Sequence, residues 1–528
     1  MNGATVARQG ALTEAHDTTL SRNLRDLLAG TGAVAPDLAV VDLTLDSRAV
    51  QPGAAFVALP GLRSHGISFA AQAVQAGASA ILWEPVEGVA APQLPKQVAL
   101  IAVPKLRESL GVIADRFFGE PSAAVNVTGI TGTNGKTTTA YVLASALADL
   151  GRTAAYAGTL GVGRVAASGT GIRAGTHTTP DCVSVHRQIA ELRDAGVSHL
   201  GMEVSSHALD QGRVAGVRFD TAVFTNLTHD HLDYHGTVEA YGAAKARLFA
   251  WPGLKHAVIN GEDAFGRELA QGYAGAGLVV YGRSPSLPAS VARHLFASGV
   301  RAGAHGLEIA VGGSWGEATL RSRFVGDFNV DNLLCVLGVL LGWGVPLQRA
   351  IQALENCVAP PGRMETFTAP GRPLGIVDYA HTPDALDKAL QAARGHCSGK
   401  LVCVFGCGGD RDARKRPVMG AIAERLADVV IVTDDNPRTE DGDTIVADIM
   451  QGLIKDPRRP GTVLVERDRA KAIAKAIGIT GAGDVVLVAG KGHEDYQIVG
   501  LERRHFSDRE VVLAELRRGQ SANEEGSQ

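Results

Sequence analysis

Residues 125–149 read VNVTGITGTNGKTTTAYVLASALAD, and the fold turns on how this stretch is parsed. A β-branched, apolar run from Val125 to Ile130 opens into the Gly-rich turn TGTNG. Lys136 and Thr137 then lead into AYVLASALADL, a helix-forming segment. Strand, Gly-rich turn and helix in that order build a phosphate-cradling loop. The glycines let backbone N–H groups face an anion, and the helix N-terminus adds the positive end of its dipole. The lysine reaches the terminal phosphates, and the threonine hydroxyl can ligate Mg²⁺. The loop is the short G-x-x-G-K-T form, because Ile130 stands where the longer form has its first glycine. Gly132, Thr133, Asn134, Gly135, Lys136, Thr137 and Thr138 are therefore candidate ATP contacts. The bland alternative is a Gly-rich turn before an ordinary helix, and the strand–loop–helix order weighs against it. An ATP-using protein follows; the chemistry that ATP drives does not.

Working outward, 528 residues make room for roughly three domains. The expected division is residues 21–121, 122–360 and 361–528, with 1–20 and 519–528 as disordered extensions. A net charge of -4 gives no basic footprint for a nucleic-acid backbone. Sixty-four glycines and 45% hydrophobic content suit a tightly wound α/β enzyme. The start, MNGATVARQGALTEAH, lacks the apolar core of a signal peptide, and the apolar run Leu333 to Trp343 is too short to span a bilayer. A soluble, cytoplasmic monomer is expected. The six cysteines do not make a disulfide framework in so long a chain. His396, Cys397, Cys403 and Cys407 lack paired zinc-ligand spacing, and Cys403 lies inside the apolar strand KLVCVFG.

Short strands (LAVVDLTLDSR, AAFVAL, ASAILW, VALIAV) fill the first segment, with helices expected at SRNLRDLLAG and from Phe69 to Ala76. The third segment alternates helices with LGIVDYA, KLVCVFG, DVVIVTD and DVVLVAG, near-continuous apolar runs of the kind parallel strands need when both faces are covered. The Pro-Pro-Gly at 360–362 is a plausible hinge. Nearly every such strand ends in a polar cluster: GTNGKTT, EVSSHALDQGR, TNLTHDHLDYH, DYAHTPD, GCGGDRD, TDDNPRTE and AGKGHED. Ligands of parallel α/β sheets bind outside the carboxyl ends of the strands. One such cluster could be a helix cap; so many together, over two segments, predict two facing sheets with one active site between them.

Glu203 follows the strand HLGMEV, and with Thr137 it offers the hard oxygens that Mg²⁺ on ATP phosphates takes. His231, in THDHLDYH, reads more simply as a capping or core histidine, although Asp230 and Asp233 beside it keep a metal role open. Lys245, on the helix-like VEAYGAAKARLF, reads by spacing alone as a solvated lysine. Arg411 in GGDRD and Arg438 in DDNPRTE lie at strand ends, where paired guanidinium groups suit bidentate carboxylate recognition.

From about Arg22 to Arg509 the chain closely resembles the Mur ligases of peptidoglycan synthesis. The resemblance rests on TLDSR, GTNGKTTT, MEVSSHAL, VFTNLTHDHLDYHG, YGAAK, FNVDN, GRMETF, VDYAHTPDAL, VFGCGGDRD, TDDNPRTE and GKGHEDYQIVG, in the family's order. It implies a central P-loop ATPase-type sheet, mostly parallel, a C-terminal Rossmann-like α/β domain and a smaller N-terminal α/β domain. It implies ATP-driven addition of meso-diaminopimelate to UDP-N-acetylmuramoyl-L-alanyl-D-glutamate through an acyl phosphate. It also assigns roles. Leu45, Ser47, Thr178, Thr179, Ser205, Gln211 and Arg213 match the UDP-muramoyl-peptide contacts. Asn329, Asn332, Arg363 and Asp378 complete the ATP site. Thr137, Glu203 and His231 match Mg²⁺ ligands, joined by Lys245 as a carbamate (N6-carboxylysine). Lys136, Glu203, His231 and Lys245 are then the catalytic set. Arg411, Asp435, Asn436, Pro437, Arg438, Gly490 and Glu494 match the diaminopimelate contacts. His177 departs from the family's Asn before the paired threonines, and the N-terminal extension lies outside the resemblance. A sister ligase adding L-lysine, a folylpolyglutamate synthetase and a P-loop regulatory NTPase are the competing readings. DNPR and GKGHEDYQIVG argue against the first two; the NTPase leaves the first and third segments unexplained.

Overall fold

The computed structural model describes residues 20–61, 64–166, 169–175, 177–284, 293–303, 306–453 and 462–525. Residues 1–19 and 526–528, where disordered extensions are expected, lie outside the described residues. By backbone proximity the chain divides into two units. One comprises residues 1–120 with 181–187 and 212–217; the other holds the remainder.

In the smaller unit, strands Leu43–Thr44, Ala55–Ala58, Ala80–Trp83 and Ala99–Ala102 form a four-stranded parallel sheet in chain order. Phe56, Ile81 and Trp83 pack there with Ile67, Ala70 and Ala73. The expected helix around Phe69 is present as a 3₁₀ turn, Gly66–Phe69, running into Ala70–Gln75. The one expected over SRNLRDLLAG is a single turn, Leu24–Leu27, capped by the Asn23 side chain on Arg25 N at 2.9 Å. Gly30, at φ 83, follows it, and so does Gly32, at φ 78; both conformations are incompatible with continuing a helix.

The larger unit contains an eleven-stranded and a six-stranded sheet. In the first, β1 (Asn126–Thr131), β2 (Ala154–Gly158), β3 (His199–Glu203), β4 (Phe219–Phe224), β5 (His256–Asn260) and β6 (Leu278–Gly282) run parallel in the order β2-β3-β1-β4-β5-β6. Strand β1 leads through the Gly-rich turn into α1 (Lys136–Asp149). Further on come α2 (Val238–Ala246) and α3 (Phe328–Gly342), the second apolar all round from Leu333 onward and buried among β5, β6 and α1. The strands His294–Gly303, Gly306–Gly313 and Ala318–Ser322 extend the sheet as an antiparallel meander, which the sequence reading did not foresee.

The six-stranded sheet holds β7 (Leu374–Asp378), β8 (Leu401–Phe405), β9 (Val429–Val432), β10 (Thr462–Val465) and β11 (Val485–Ala489). They lie parallel in the order β7-β11-β8-β9-β10, and Glu365–Phe367 is antiparallel to β7 at the edge. Cys403 on β8 is buried and free, as its apolar strand predicts, and no described His, Cys, Asp or Glu residues cluster in threes as a metal centre. Helices α4 (Lys415–Leu426), α5 (Arg469–Gly478) and α6 (Asp508–Glu525) cover this sheet. Helix α6 carries into 519–525, where disorder is expected. Those residues include no proline, so nothing in the backbone stops the helix begun at Asp508. No described helix is long and apolar enough to cross a membrane.

Candidate active site

The phosphate loop is shaped by two glycines that nothing larger could replace. Gly132 adopts φ 148, and a Cβ there would stand 1.9 Å from Thr225 Oγ1; Gly135 adopts φ 83, and its Cβ would meet Asn332 Oδ1 at 2.4 Å. Side chains at the end of β4 hold the loop open. Asn226 Oδ1 accepts from Asn134 N at 2.9 Å, and Thr225 Oγ1 donates to Asn134 O at 2.6 Å. Thr133 Oγ1 accepts from Thr228 N at 3.0 Å. Thr137 is buried in the first turn of α1, where the helix N-terminus concentrates positive potential.

Lys136 Nζ folds back over the loop and donates to the carbonyls of Gly132 and Thr133, each at 2.8 Å. Burial lowers its pKa; Glu203 and Asp230 oppose that, and the Arg363 charge adds to it. Lys245 is not the solvated lysine that helical spacing alone suggests. It is 1% exposed, its Nζ donates to the same Gly132 carbonyl at 2.9 Å, and the Tyr241 ring centroid lies 4.2 Å away. Burial, reinforced by Lys136 and only partly offset by Asp230, pushes Lys245 down to about 6. Two lysine amines thus converge on one carbonyl of the loop, and the Lys245 amine holds its proton only weakly.

Glu203, 1% exposed at the end of β3, accepts from Tyr156 Oη, Thr159 N (2.9 Å) and Thr159 Oγ1 (3.2 Å). Burial, with the carboxylate beside it, raises the Tyr156 phenol well above its usual pKa, so it stays a donor. Neither Tyr156 nor Thr159 was flagged by sequence; both lie around the end of β2, and only the pairing of β2 with β3 brings them here. His231 sits at φ 52, ahead of the short helix Leu232–His235. Its ring is half-exposed and packs edge-on to His207 at 4.9 Å. Thr137 and Glu203 give the hard oxygen donors suited to a cation carried on phosphates.

At the N-terminus of α3, Asn329 Nδ2 donates to Val325 O (2.8 Å), and Asn332 Nδ2 to Asn329 Oδ1 (2.9 Å). Asn332 Oδ1 accepts from Thr139 at 3.4 Å, which ties this pair to α1. From the other sheet, Asp378 at the end of β7 accepts from Met364 N (2.8 Å) and Ala380 N (2.9 Å). Desolvation raises its pKa against the pull of Arg363. The Arg363 guanidinium lies over the Tyr379 ring at 4.9 Å, and its Nε is buried without a partner. That Arg363 is felt at Lys136, and Glu203 at His493, puts the two sets of strand ends in one electrostatic neighbourhood.

The second constellation lies at the ends of β9 and β11. Arg438, at φ 52, donates from Nη1 to Gly409 O at 2.7 Å, while its backbone N donates to Ile498 O at 3.0 Å. Asn436 Nδ2 donates to Glu494 Oε2 at 3.0 Å. Burial raises the pKa of Asp435, opposed by Arg469 and Lys491. Gly490 is forced, since a Cβ there would lie 2.5 Å from Asp435 Oδ2. Pro437 is buried beside them, and Arg411 is exposed to solvent. Sequence reading missed Lys491, although Gly490 and Glu494 bracket it in GKGHED.

The residues expected to hold a UDP-linked substrate divide between the units. In the smaller, Leu45 is half-buried, Ser47 Oγ donates to Gln72 Oε1 at 2.8 Å, and Arg213 is half-buried. In the larger, Thr178 Oγ1 meets Thr159 Oγ1 at 3.0 Å, and Thr179 Oγ1 donates to Glu203 O at 2.9 Å. Ser205 caps the helix Ser206–Asp210 through Ala208 N, and Gln211 Nε2 donates to Tyr234 Oη at 3.1 Å. His177 is exposed.

Comparison with known proteins gives three family matches along the chain. These are the Mur ligase family catalytic domain over 40–118, the Mur ligase middle domain over 130–340 and the Mur ligase glutamate ligase domain over 362–492. The UDP-N-acetylmuramoyl-L-alanyl-D-glutamate--2,6-diaminopimelate ligase of Xanthomonas campestris pv. campestris is 51% identical over 488 residues, spanning 92% of this chain and 95% of the relative. The protein of the same name from Ectopseudomonas mendocina is 50% identical over 467 residues, spanning 88% and 93%. A solved UDP-N-acetylmuramoyl-L-alanyl-D-glutamate--2,6-diaminopimelate ligase superposes with a TM-score of 0.69 at 32% identity, covering 95% of this chain and 99% of that one.

Proposed function

The chain belongs to the Mur ligase family, and from that premise we propose that it joins meso-2,6-diaminopimelate to UDP-N-acetylmuramoyl-L-alanyl-D-glutamate with ATP, a step of peptidoglycan synthesis in the cytoplasm. The observation that carries the reading is the convergence of Lys136 and Lys245 on the Gly132 carbonyl. Among the described residues no carboxylate hydrogen-bonds the Lys136 ammonium there, so polyphosphate oxygens are the groups the loop is built to receive.

In this reading the D-glutamate carboxylate of the UDP-linked peptide attacks the γ-phosphorus of ATP, giving an acyl phosphate and ADP. The diaminopimelate amine then attacks the acyl carbon and phosphate leaves. Phosphoryl transfer needs placement and charge neutralisation more than covalent help, and Lys136 with the first turn of α1 supplies both. Thr137, Glu203, His231 and a carbamate on Lys245 would hold Mg²⁺, which neutralises phosphate charge. Lys245 suits the modification because at neutral pH it is largely the free amine, whose nitrogen attacks the carbon of CO₂ and gives up a proton to form the carbamate. Tyr156 and Thr159 fix the Glu203 carboxylate in place. Arg438 would take the far carboxylate of diaminopimelate, with Asn436 and Glu494 at the neighbouring amine.

Phosphate release measured with each co-substrate omitted in turn tests this. Turnover is expected only with both the UDP-muramoyl-dipeptide and diaminopimelate. Comparable ATP hydrolysis without the UDP-linked peptide would make the protein a regulatory NTPase.

A further inference from the structure

Lys491 is fully buried, yet no step above uses it. Its Nζ lies 3.1 Å from Glu494 Oε2 and 3.2 Å from Asn436 Oδ1, and the Tyr496 ring centroid is 5.4 Å away. Asn436 Oδ1 also accepts from Ile498 N at 2.9 Å. With two donors on that oxygen, the amide has one orientation, and its Nδ2 must face Glu494. Asp435 is a second carboxylate in the same pocket, and the Arg469 guanidinium nearby is already paired with Asp508 at 2.6 Å. Lys491 is therefore the cation that offsets Glu494. Without it, the cation left to oppose Asp435 is Arg469, which is engaged by Asp508, and Glu494 loses its ion-pair partner.

We infer that Lys491 is a positioning and charge-setting residue of the amino-acid site, selecting a diamino dicarboxylic acid over a diamine with a single carboxylate. The inference rests on the reading of this site as the diaminopimelate site. The far end of diaminopimelate is a zwitterion; that of lysine is a bare cation. A pocket neutralised by Lys491 accepts the zwitterion, with Glu494 on the ammonium and the Arg438 guanidinium on the carboxylate. A pocket stripped of Lys491 gains a negative charge, which repels the carboxylate and welcomes the cation. A buried unit charge a few ångströms away at an effective dielectric near 20 shifts such a preference by about tenfold or more.

The test compares kcat/KM for diaminopimelate and lysine in the full-length enzyme and in Lys491→Met, which keeps length and loses charge. The ratio is expected to fall about tenfold or more, through KM for diaminopimelate, while KM for ATP and the UDP-linked peptide stays within about twofold. Loss of packing alone would depress both amino acids together, so an unchanged ratio overturns the inference at any level of activity. If Lys491→Met does not fold, Lys491→Gln, which can still hydrogen-bond Asn436, is read by the same ratio. A wild-type enzyme without preference for diaminopimelate overturns the reading of the site itself. A wild-type preference that survives in the variant overturns only the role of Lys491.

Discussion

A lysine leaves water at a cost unless a carboxylate meets it, and the hydrogen bond that Lys245 makes is to a neutral carbonyl. Unfolded, its amine holds a proton up to about pH 10.5; folded, it releases it near 6. Between those values the unfolded chain binds the extra proton, so stability rises with pH across the window and the penalty fades toward its upper end. In CO₂-depleted buffer at pH 7, Lys245→Met should gain stability on the order of a few kcal/mol and lose turnover. Denaturant melts at pH 7 and pH 10 check the first part, the gain shrinking at the higher pH. Near-normal turnover in the variant would give Lys245 a purely structural place. None of this was legible locally, because helical spacing says nothing of what covers a side chain. Lys136 was legible, since its chemistry is written in adjacent residues. The hydrogen bonds that hold Glu203 were not, since Tyr156 and Thr159 meet it only after β2 and β3 pair.

The strand-end loops that carry the proposed amino-acid contacts are held in place by residues on neighbouring elements. Arg416 on α4 is 1% exposed and grips Glu440 through two bonds of 2.7 Å, and Asp448 through one of 2.9 Å. Glu440 Oε2 accepts in turn from Asp410 N at 3.0 Å, and the Asp410 carboxylate accepts from Thr439 N at 3.1 Å. One guanidinium thus pins the loop after β8, which carries Arg411, to the loop after β9, which carries Arg438. Arg416→Met should cost about 3 kcal/mol, at the low end for a broken buried pair because both carboxylates keep some water. It should also raise KM for diaminopimelate while leaving KM for ATP nearly unchanged; equal changes in both would show a general loosening instead. The parallel strands on either side were legible as unbroken apolar runs. The meander from His294 to Ser322 was not, because Gly, Ala, Ser and Arg mixed through its strands are residues that loops share, and they mask the strand alternation that Leu307 to Val311 does carry. In the same way SRNLRDLLAG has helical composition, but Gly30 and Gly32 end the helix after one turn.

At the scale of the larger unit, Lys136 beyond the end of β1 feels the charge of Arg363, and His493 after β11 feels that of Glu203, so the segment joining the two sheets bears on both. Gly362, in the Pro-Pro-Gly expected to act as a hinge, packs closely against the backbone of Gly492 and His493. Its φ is 64, and a Cβ there would lie 2.1 Å from the Gly492 carbonyl carbon and 2.1 Å from His493 N. Its own N–H donates to Glu365 Oε2 at 2.8 Å. The next residue is Arg363, proposed for the ATP site, while Gly492 and His493 lie between Gly490 and Glu494 of the proposed amino-acid site. A methyl group at this contact must therefore displace backbone that joins the two proposed sites. Gly362→Ala is expected to raise KM for ATP and for diaminopimelate together, since displacement of about 1 Å can cost a hundredfold in rate. Gly371→Ala separates crowding from backbone strain. It has the same left-handed φ, at 71, and nothing within 4 Å of its Cβ, so it should lose only about 1 kcal/mol and keep both constants. If Gly362→Ala instead behaves like Gly371→Ala, the two sites are not coupled through this contact. If only one of the two KM values moves, the join serves one sheet and the other is positioned independently.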